Sequence, residues 1–513
     1  MPLDLNLLLT ATDEENAQRF ATAKALVQTY LAGLTRVKIF VADSRSFGHQ
    51  SSSINILFNL IRLGCTATFT VVYENPNALS KVRVLLPINP DNVQPITLPT
   101  PAGGTVNVNF LAFNAVQPDC DLALTGGYDN PVTGLTGLNA TYIIELQPFK
   151  WVQGGSQNAI YKAADATTYS LDDAINNFNQ QAFYISNPTR VNAFWAAFAT
   201  AYPTWTTTLN LTTKVLDLYG IAENFYFCPV YGINTGTIDP ILSLFNLCCG
   251  VSFLQDQTTV LAARKAVIVS FSPVSQPGQD NNVNLATLRT LITDRNYPGK
   301  GAVYSPGPNC RAYLDSSALA ARVTYYSGTD PNELETAINA LASNGILVVQ
   351  IGPIPAPVFN YAYYMANLPF VFEGQNTAAL ALNLGIPYLH ITTPGNYGNG
   401  NLFPVLPPGN GVSSSNGLIA TAICSKMSTY PMVWRLPTTK LTRSNIDQYG
   451  KPGVVDQLAP SYTLGKYAVE AKQANPDSNM IKYFKKFATF FHDEKNDKLI
   501  DALIYLNYNI INN

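Results

Sequence analysis

Charge is what this sequence has least of. Only 12% of its 513 residues are Asp, Glu, Lys or Arg, about half the share of an average globular chain. The 31 basic and 33 acidic residues leave a net charge of −2 at pH 7. No global field attracts a polyanion, which argues against a dedicated DNA or RNA binder but leaves room for a local phosphate site. Histidine is almost missing, with His49, His390 and His492 making up the whole set. A His-rich metal centre is thereby excluded, and a Ser-His-Asp hydrolase has few candidates. Cys65, Cys120, Cys228, Cys248, Cys249, Cys310 and Cys424 contain no Cys-x-x-Cys pair. Such scatter suits reduced, buried thiols rather than a zinc site or a disulfide framework. No apolar stretch nears the roughly 18 residues of a membrane span, and residues 1–9 lack the basic start of a secretory leader. The expectation is a cytoplasmic protein without an integral membrane segment, or an effector secreted without such a leader. Oligomeric state is not legible.

What is present is apolar and polar-neutral residues. Hydrophobic positions make up 47%, enough for a sizeable core, and the length calls for at least two domains. With charge so scarce, Asn, Gln, Thr, Ser and Tyr must cover the surface, and such groups suit hydroxyl-rich ligands. Thr12 and Glu15 form a capping box ahead of a helix that ends at Gly33. A strand at 37–42, a polar loop at 43–53, a helix with Ile54, Leu57, Phe58 and Ile61 on one face, and a strand at 67–73 make a βαβ unit. Further strands are predicted at 82–86, 106–113, 122–124 and 142–146. The region 154–218 reads as a helical insertion, with helices near 171–184 and 189–201. A second series follows, with strands at 265–271, 302–304, 323–326, 345–351, 368–372 and 388–392, and helices at 285–294, 332–343 and 377–384. Helices at 462–472 and 479–506 close the chain. The prediction is an α/β fold of two doubly wound Rossmann-like domains facing a cleft. They span 1–255, including the insertion, and 256–440, with a helical segment at 441–513.

Two strand-end segments carry candidate chemistry. In the first, Asp43 ends a strand and Gly48, His49, Gln50 and Ser51 lead into a helix, with Ser51 to Ser53 as good N-caps. His49 has the pKa and reach to take a proton from an incoming hydroxyl, and Asp43 either orients it or acts as the base itself. No Gly-x-Gly-x-x-Gly stands here, which disfavours a dinucleotide site. Gly126, Gly127, Tyr128 and Asp129 follow another strand of the same half and face the same cleft. If neither His49 nor Asp43 is the base, Asp129 and Glu145 come next. The second segment runs from Glu373 through Gly374, Gln375, Asn376 and Thr377 into a small-residue helix, then Gly385-Ile-Pro and another strand. Its turn offers N–H groups at a helix N-terminus, an anion site, while the Glu373 carboxylate suits sugar or ribose hydroxyls.

This second segment resembles the donor-binding βαβ of GT-B glycosyltransferases, where such a turn holds the diphosphate of a nucleotide sugar and the helix also ends in Gly-x-Pro. The resemblance implies that loops bearing Ser272, Ser305, Gly307 and Gly352 contact base and phosphates, and that the C-terminal helices return to the first domain. Leu380 stands where retaining members have a second Glu, and the His-x-x-Gly and Asp-Gln patterns of plant-type members are missing, so the chain looks closer to inverting bacterial enzymes. Its segments 142–145 and 372–390 are similar to bacterial protein-arginine rhamnosyltransferases. The implied activity is transfer of a sugar from a nucleotide-diphosphate sugar to a protein or glycan acceptor. The donor is a substrate, with neither a metal nor a further cofactor needed. Arg311, Arg322 or Arg435 would assist the leaving group. The alternatives are a sugar-nucleotide epimerase of similar fold, or a non-catalytic protein whose cleft binds a glycan or protein.

Overall fold

The computed structural model describes residues 24–44, 48–86, 92–147, 158–171, 184–201, 203–231, 264–271, 318–372, 375–392 and 497–512. Positions 88 and 182, several between 244 and 256, and the pair 427–428 are described as well. The described residues are mixed α/β and form two sheets. The first has eight strands: β1 (Arg36–Val41), β2 (Thr68–Tyr73), β3 (Ile96–Pro99), β4 (Thr105–Ala112), β5 (Cys120–Thr125), β6 (Ala140–Glu145), β7 (Ala159–Lys162) and β8 (Thr167–Ser170). Their spatial order is β3-β4-β2-β1-β5-β6-β7-β8. The run from β4 to β6 is parallel, while β3 at one edge and the β7–β8 hairpin at the other are antiparallel. The central β1 is buried at every residue but Arg36, as a parallel strand covered on both faces must be. Edge strand β8 alternates between half-buried and exposed.

The second sheet is parallel throughout. It contains β9 (Tyr226–Tyr231), β10 (Ala266–Phe271), β11 (Val323–Tyr326), β12 (Ile346–Ile351), β13 (Phe370–Phe372), β14 (Tyr388–Thr392) and β15 (Met427–Ser428), in the order β11-β12-β10-β9-β13-β14-β15. β10 and β12 are buried along their whole length. Each sheet reverses its direction of growth once. β2 and β4 fill one side of β1 before β5 and β6 fill the other, and β10 and β12 fill one side of β9 before β13 and β14 fill the other. At such a reversal, neighbouring loops at the strands' carboxyl ends leave on opposite faces and open a crevice.

A helical segment at 24–32 precedes β1. The labelled helices of the described residues are α1 (Gly48–Arg62), α2 (Pro76–Leu85), α3 (Pro188–Ala201), α4 (Thr206–Gly220), α5 (Leu319–Arg322), α6 (Pro331–Ala340), α7 (Ala356–Tyr364), α8 (Gln375–Leu384) and α9 (Lys498–Tyr505). None of the described helices is long and apolar enough to cross a membrane. One apolar cluster runs from Val27 to Ile510 through residues of both sheets. Four free cysteines, Cys65, Cys120, Cys228 and Cys248, are buried.

Several predicted elements are corrected. The polar loop at 43–53 is shorter than expected, because α1 already begins at Gly48. Ser52 and Ser53 are therefore buried helix residues rather than caps. The expected strand at 82–86 is the end of α2. Its Val-Arg-Val-Leu-Leu run has strand character, but Asn75 caps the helix by accepting from Ala78 N–H at 3.0 Å and Pro76 fits its first turn. The region read as a helical insertion contributes the β7–β8 hairpin before its helices α3 and α4. Strand β9 was not expected, because Pro229 stands in its middle and proline lacks a ladder donor. Tyr226 N–H donates to Lys265 on the β10 side, so by alternation the Pro229 nitrogen faces β13, which pairs with β9 only at Val371 and Val230. Helix α7 was missed as well. The helices expected at 285–294 and 462–472, the strand at 302–304 and the capping box at Thr12 lie outside the described residues.

Helix α1 seats against the end of β5 with no room for a side chain. A β-carbon at Gly126 would lie 2.4 Å from the Ser52 carbonyl carbon and 2.5 Å from Ser53 N. Gly126→Ala is therefore expected to cost about 1–3 kcal/mol or more as helix and strand are forced apart. Gly137→Ala, whose β-carbon would meet nothing closer than the Phe113 ring at 3.5 Å, is the comparison. Equal urea midpoints for the two variants would contradict this packing.

Candidate functional site

The crevice of the first sheet gathers residues from five elements. Helix α1 brings His49 in its first turn, and the loop after β5 brings Gly126 to Asp129. These two predicted segments meet directly. His49 lies over Gly127, where a β-carbon would come within 2.8 Å of the imidazole, and His49 Nε2 is 3.7 Å from Asp129 Oδ1. The His49 side chain is 19% exposed and that of Asp129 78%. Burial pushes the His49 pKa below the usual histidine value, the Asp129 charge opposes that, and Lys81 adds to it. The imidazole is accordingly neutral near pH 7, and its Nδ1 is buried with no hydrogen-bond partner. A neutral, partly exposed ring is suited to accept a proton.

Asp43 is differently placed. Its carboxylate accepts from Asn75 Nδ2 at 3.1 Å, Asn77 Nδ2 at 3.5 Å and Lys81 Nζ at 3.0 Å. Burial works to raise its pKa, but the Lys81 and Asn75 hydrogen bonds and the Lys81 charge outweigh it and hold the group below the usual carboxylate value. Asp43 N–H donates to Glu74 Oε2 at 2.6 Å, and Lys81 also donates to the Ser44 carbonyl. This network fixes the exit of β1 onto α2. Gln50 is fully buried and donates to the Ala42 carbonyl at 2.6 Å, while Ser51 Oγ lies 3.4 Å from the Gly48 carbonyl. The Gln50 bond ties α1 to the end of β1, and the Ser51 contact lies within the first turn of the helix. Tyr128 packs edge-on against Phe40 and offers its carbonyl to Gln147 Nε2 at 3.0 Å.

Sequence reasoning turned to Glu145 only after His49 and Asp43, and the structure buries it at the strand end beside Gln147, within reach of the Asp129 charge. It is the final residue of β6, 1% exposed, and pairs in register with Thr125 of β5. Gln147 Nε2 lies 3.4 Å from its Oε1, and its Oε2 is buried with no partner. Burial pushes the Glu145 pKa up to about 8, the Gln147 hydrogen bond opposes this, and the Asp129 charge adds to it. The signal in the sequence was a carboxylate closing an apolar strand. Lys81, Gln147 and Lys498 were not foreseen. Lys498, fully buried at the start of α9, donates to the Gln147 carbonyl at 2.8 Å.

On the second sheet, Asn376 and Thr377 occupy the first turn of α8, which begins at Gln375 and follows β13 at that sheet's reversal. Gly385, with φ of +63°, ends α8, a left-handed stop that glycine adopts without strain. Asn55 Nδ2 of α1 donates to Asn376 Oδ1 at 2.9 Å. Gly352 is buried just past β12. Arg322 is held by Asp256 at 2.9 Å, Gln255 at 2.8 Å and the Asn344 carbonyl at 2.9 Å, on a different part of the sheet from α8. Glu373, Gly374, Ser272, Ser305, Gly307, Arg311 and Arg435 lie outside the described residues. Among the described residues, no three His, Cys, Asp or Glu side chains converge as a metal site requires.

The raised pKa of Glu145 has a stability consequence with a definite sign. An unfolded glutamate ionises near 4.5 and the folded one near 8. The folded state therefore holds the extra proton between those values, and its stability falls as pH rises through that window. Glu145→Gln carries no such proton. The variant is expected to match the wild type near pH 4 and to gain on it steadily up to about pH 9. Parallel stability curves from urea titrations across this range would refute a buried neutral carboxyl.

No protein-family model and no curated protein sequence matches the chain. Among solved structures, a similar chain is the alpha,alpha-trehalose-phosphate synthase (UDP-forming) from Burkholderia xenovorans in complex with glucose-6-phosphate. The two share 9% identity and a TM-score of 0.24, over 98% of this chain and 79% of that one. A likeness of that size fixes neither fold nor chemistry.

Proposed function

We propose that the chain is a glycosyltransferase that moves a sugar from a nucleotide-diphosphate donor to a protein or glycan acceptor, with inversion and without a metal. The observation that carries this reading is the Asn55–Asn376 hydrogen bond. It sets the first turn of α8, at the reversal of one sheet, against α1, whose own first turn stands at the reversal of the other. A rise of 1.5 Å per residue puts Asn55 about 9 Å along α1 from His49, a span that a nucleotide sugar and an acceptor hydroxyl would bridge. In this reading the N–H groups of the 373–377 turn hold the diphosphate, with Gly352, Ser272, Ser305 and Gly307 around the base and phosphates. Gly48, Gln50, Ser51 and Gly126 to Asp129 form the acceptor wall.

His49 is the preferred base. Its ring is neutral and partly exposed, whereas the Asp43 carboxylate is committed to Lys81, Asn75 and Asn77. The acceptor O–H bond breaks as His49 takes its proton. The oxygen then attacks the anomeric carbon in line, and the sugar–phosphate bond breaks to release the nucleoside diphosphate. The α8 N–H groups would stabilise the charge that grows on the departing phosphate.

Two measurements test the reading. A set of nucleoside diphosphates covering each base should include one that raises the melting temperature, a stabilisation of about 2.7 kcal/mol at a hundredfold excess over Kd. Thr377→Val should reduce it. If no nucleotide shifts the transition, the donor assignment fails. With a donor found, His49→Ala should lower turnover by roughly 10²–10⁴-fold at nearly unchanged nucleotide affinity. A larger loss in Asp43→Asn would transfer the role of base to Asp43. Nucleotide binding with no sugar transfer or hydrolysis would favour the non-catalytic alternative.

A further inference from the structure

We infer that Glu145 is a ligand-binding carboxylic acid, which in its neutral form donates a hydrogen bond to a hydroxyl of an uncharged polyol held at the crevice of the first sheet. The inference rests on the reading of this edge as the acceptor wall and adds what that wall recognises. Glu145 ends the strand next to β5, in register with Thr125, after which the Gly126–Asp129 loop departs. Gln147 anchors one carboxyl oxygen from the same strand end. The other oxygen is buried with no partner on the protein. A protonated carboxyl is a donor as well as an acceptor, and a hydroxyl is its natural complement because it too both donates and accepts.

The surrounding charge selects the ligand. Asp129 and Tyr128 face Glu145 from the loop after β5, and Glu74 at the end of β2 acts on the same tyrosine. His49 of α1 is neutral, and the ammonium of Lys498 donates to the Gln147 carbonyl. No cation contacts Glu145 itself among the described residues, so a phosphate or carboxylate ligand would meet acidic neighbours. A sugar hydroxyl meets no such repulsion. Keeping a carboxyl neutral so that it can donate is an established use of an apolar, acidic-neighboured site.

The experiment measures binding of glucose, galactose, mannose, N-acetylglucosamine and maltose to the full chain by saturation-transfer NMR, without nucleotide. At least one should bind saturably. Its affinity should fall as pH rises past about 8, where Glu145 ionises. Glu145→Gln keeps a donor and an acceptor, so it should hold affinity within about threefold and lose the pH dependence, while Glu145→Ala should weaken binding by about tenfold or more. Should Glu145→Ala fail to fold, the wild-type and Glu145→Gln pH profiles decide alone. No saturable binding of any of these sugars, a flat wild-type profile, or a Glu145→Gln loss as large as that expected for Glu145→Ala would each overturn the inference. The nucleotide melting test is separate. Sugar binding with this pH signature but no nucleotide effect would leave the hydroxyl site standing and remove the transferase reading.

Discussion

Helix α1 lies against the first sheet at backbone-to-backbone distance, and much of the molecule follows from that contact. Gly126 makes it possible, since any β-carbon there would occupy the space of the Ser52–Ser53 peptide. Ser53 Oγ closes the gap by accepting the Gly126 N–H at 2.9 Å. The contact fixes three things at once. It sets His49 over Gly127, it aims the Gly126–Asp129 loop across the end of β6, and it turns the outer flank of α1 toward α8. A helix this buried, with polar residues such as Gln50, Ser52, Asn55 and Asn59 among its covered positions, is favoured by each polar group that finds a partner. The Asn55–Asn376 bond is one such pairing, and it ties α1 to α8.

The same close packing decides which carboxylates carry charge. Asp43 and Glu145 end neighbouring parts of one sheet, yet their environments drive them apart. Three donors converge on Asp43 and keep it ionised. Burial drives Glu145 neutral, with the Asp129 charge adding to it and one weak donor, Gln147, opposing it. Pairs of acidic groups with separated pKa values are a common way for one site to hold both a permanent anion and a protonated donor at neutral pH. The scarcity of charge in the sequence gives each of these few groups more weight, because little else screens or competes with it.

The parallel strands were legible because burial on both faces leaves continuous apolar runs, as in Val267 to Val269 and Leu347 to Val349. The βαβ order and the ends of α8, marked by Gly385, could be read for the same local reasons. The exceptions have local causes too. Pro229 disguised β9, because its missing donor falls on the side where the ladder is short. The Val82–Leu86 run disguised α2, and with it Lys81, so the ion pair that commits Asp43 was invisible. The meeting of His49 with Asp129 was anticipated only as two loops facing one cleft. Their distance, the neutral state of Glu145 and the Asn55–Asn376 bond depend on residues far apart in sequence, and no local pattern encodes them.

The bond from Lys498 to the Gln147 carbonyl gives the order of synthesis a role. Its two residues are 351 positions apart. At the usual 5–20 residues per second, roughly 20–70 s separate the emergence of Gln147 from that of Lys498. For that interval the nascent first sheet carries Gln147 without its buried ammonium, and the carboxyl beside it has not reached its final surroundings. The first crevice is thus completed only after Lys498 has emerged, and a chain truncated before α9 would lack the anchor on Gln147.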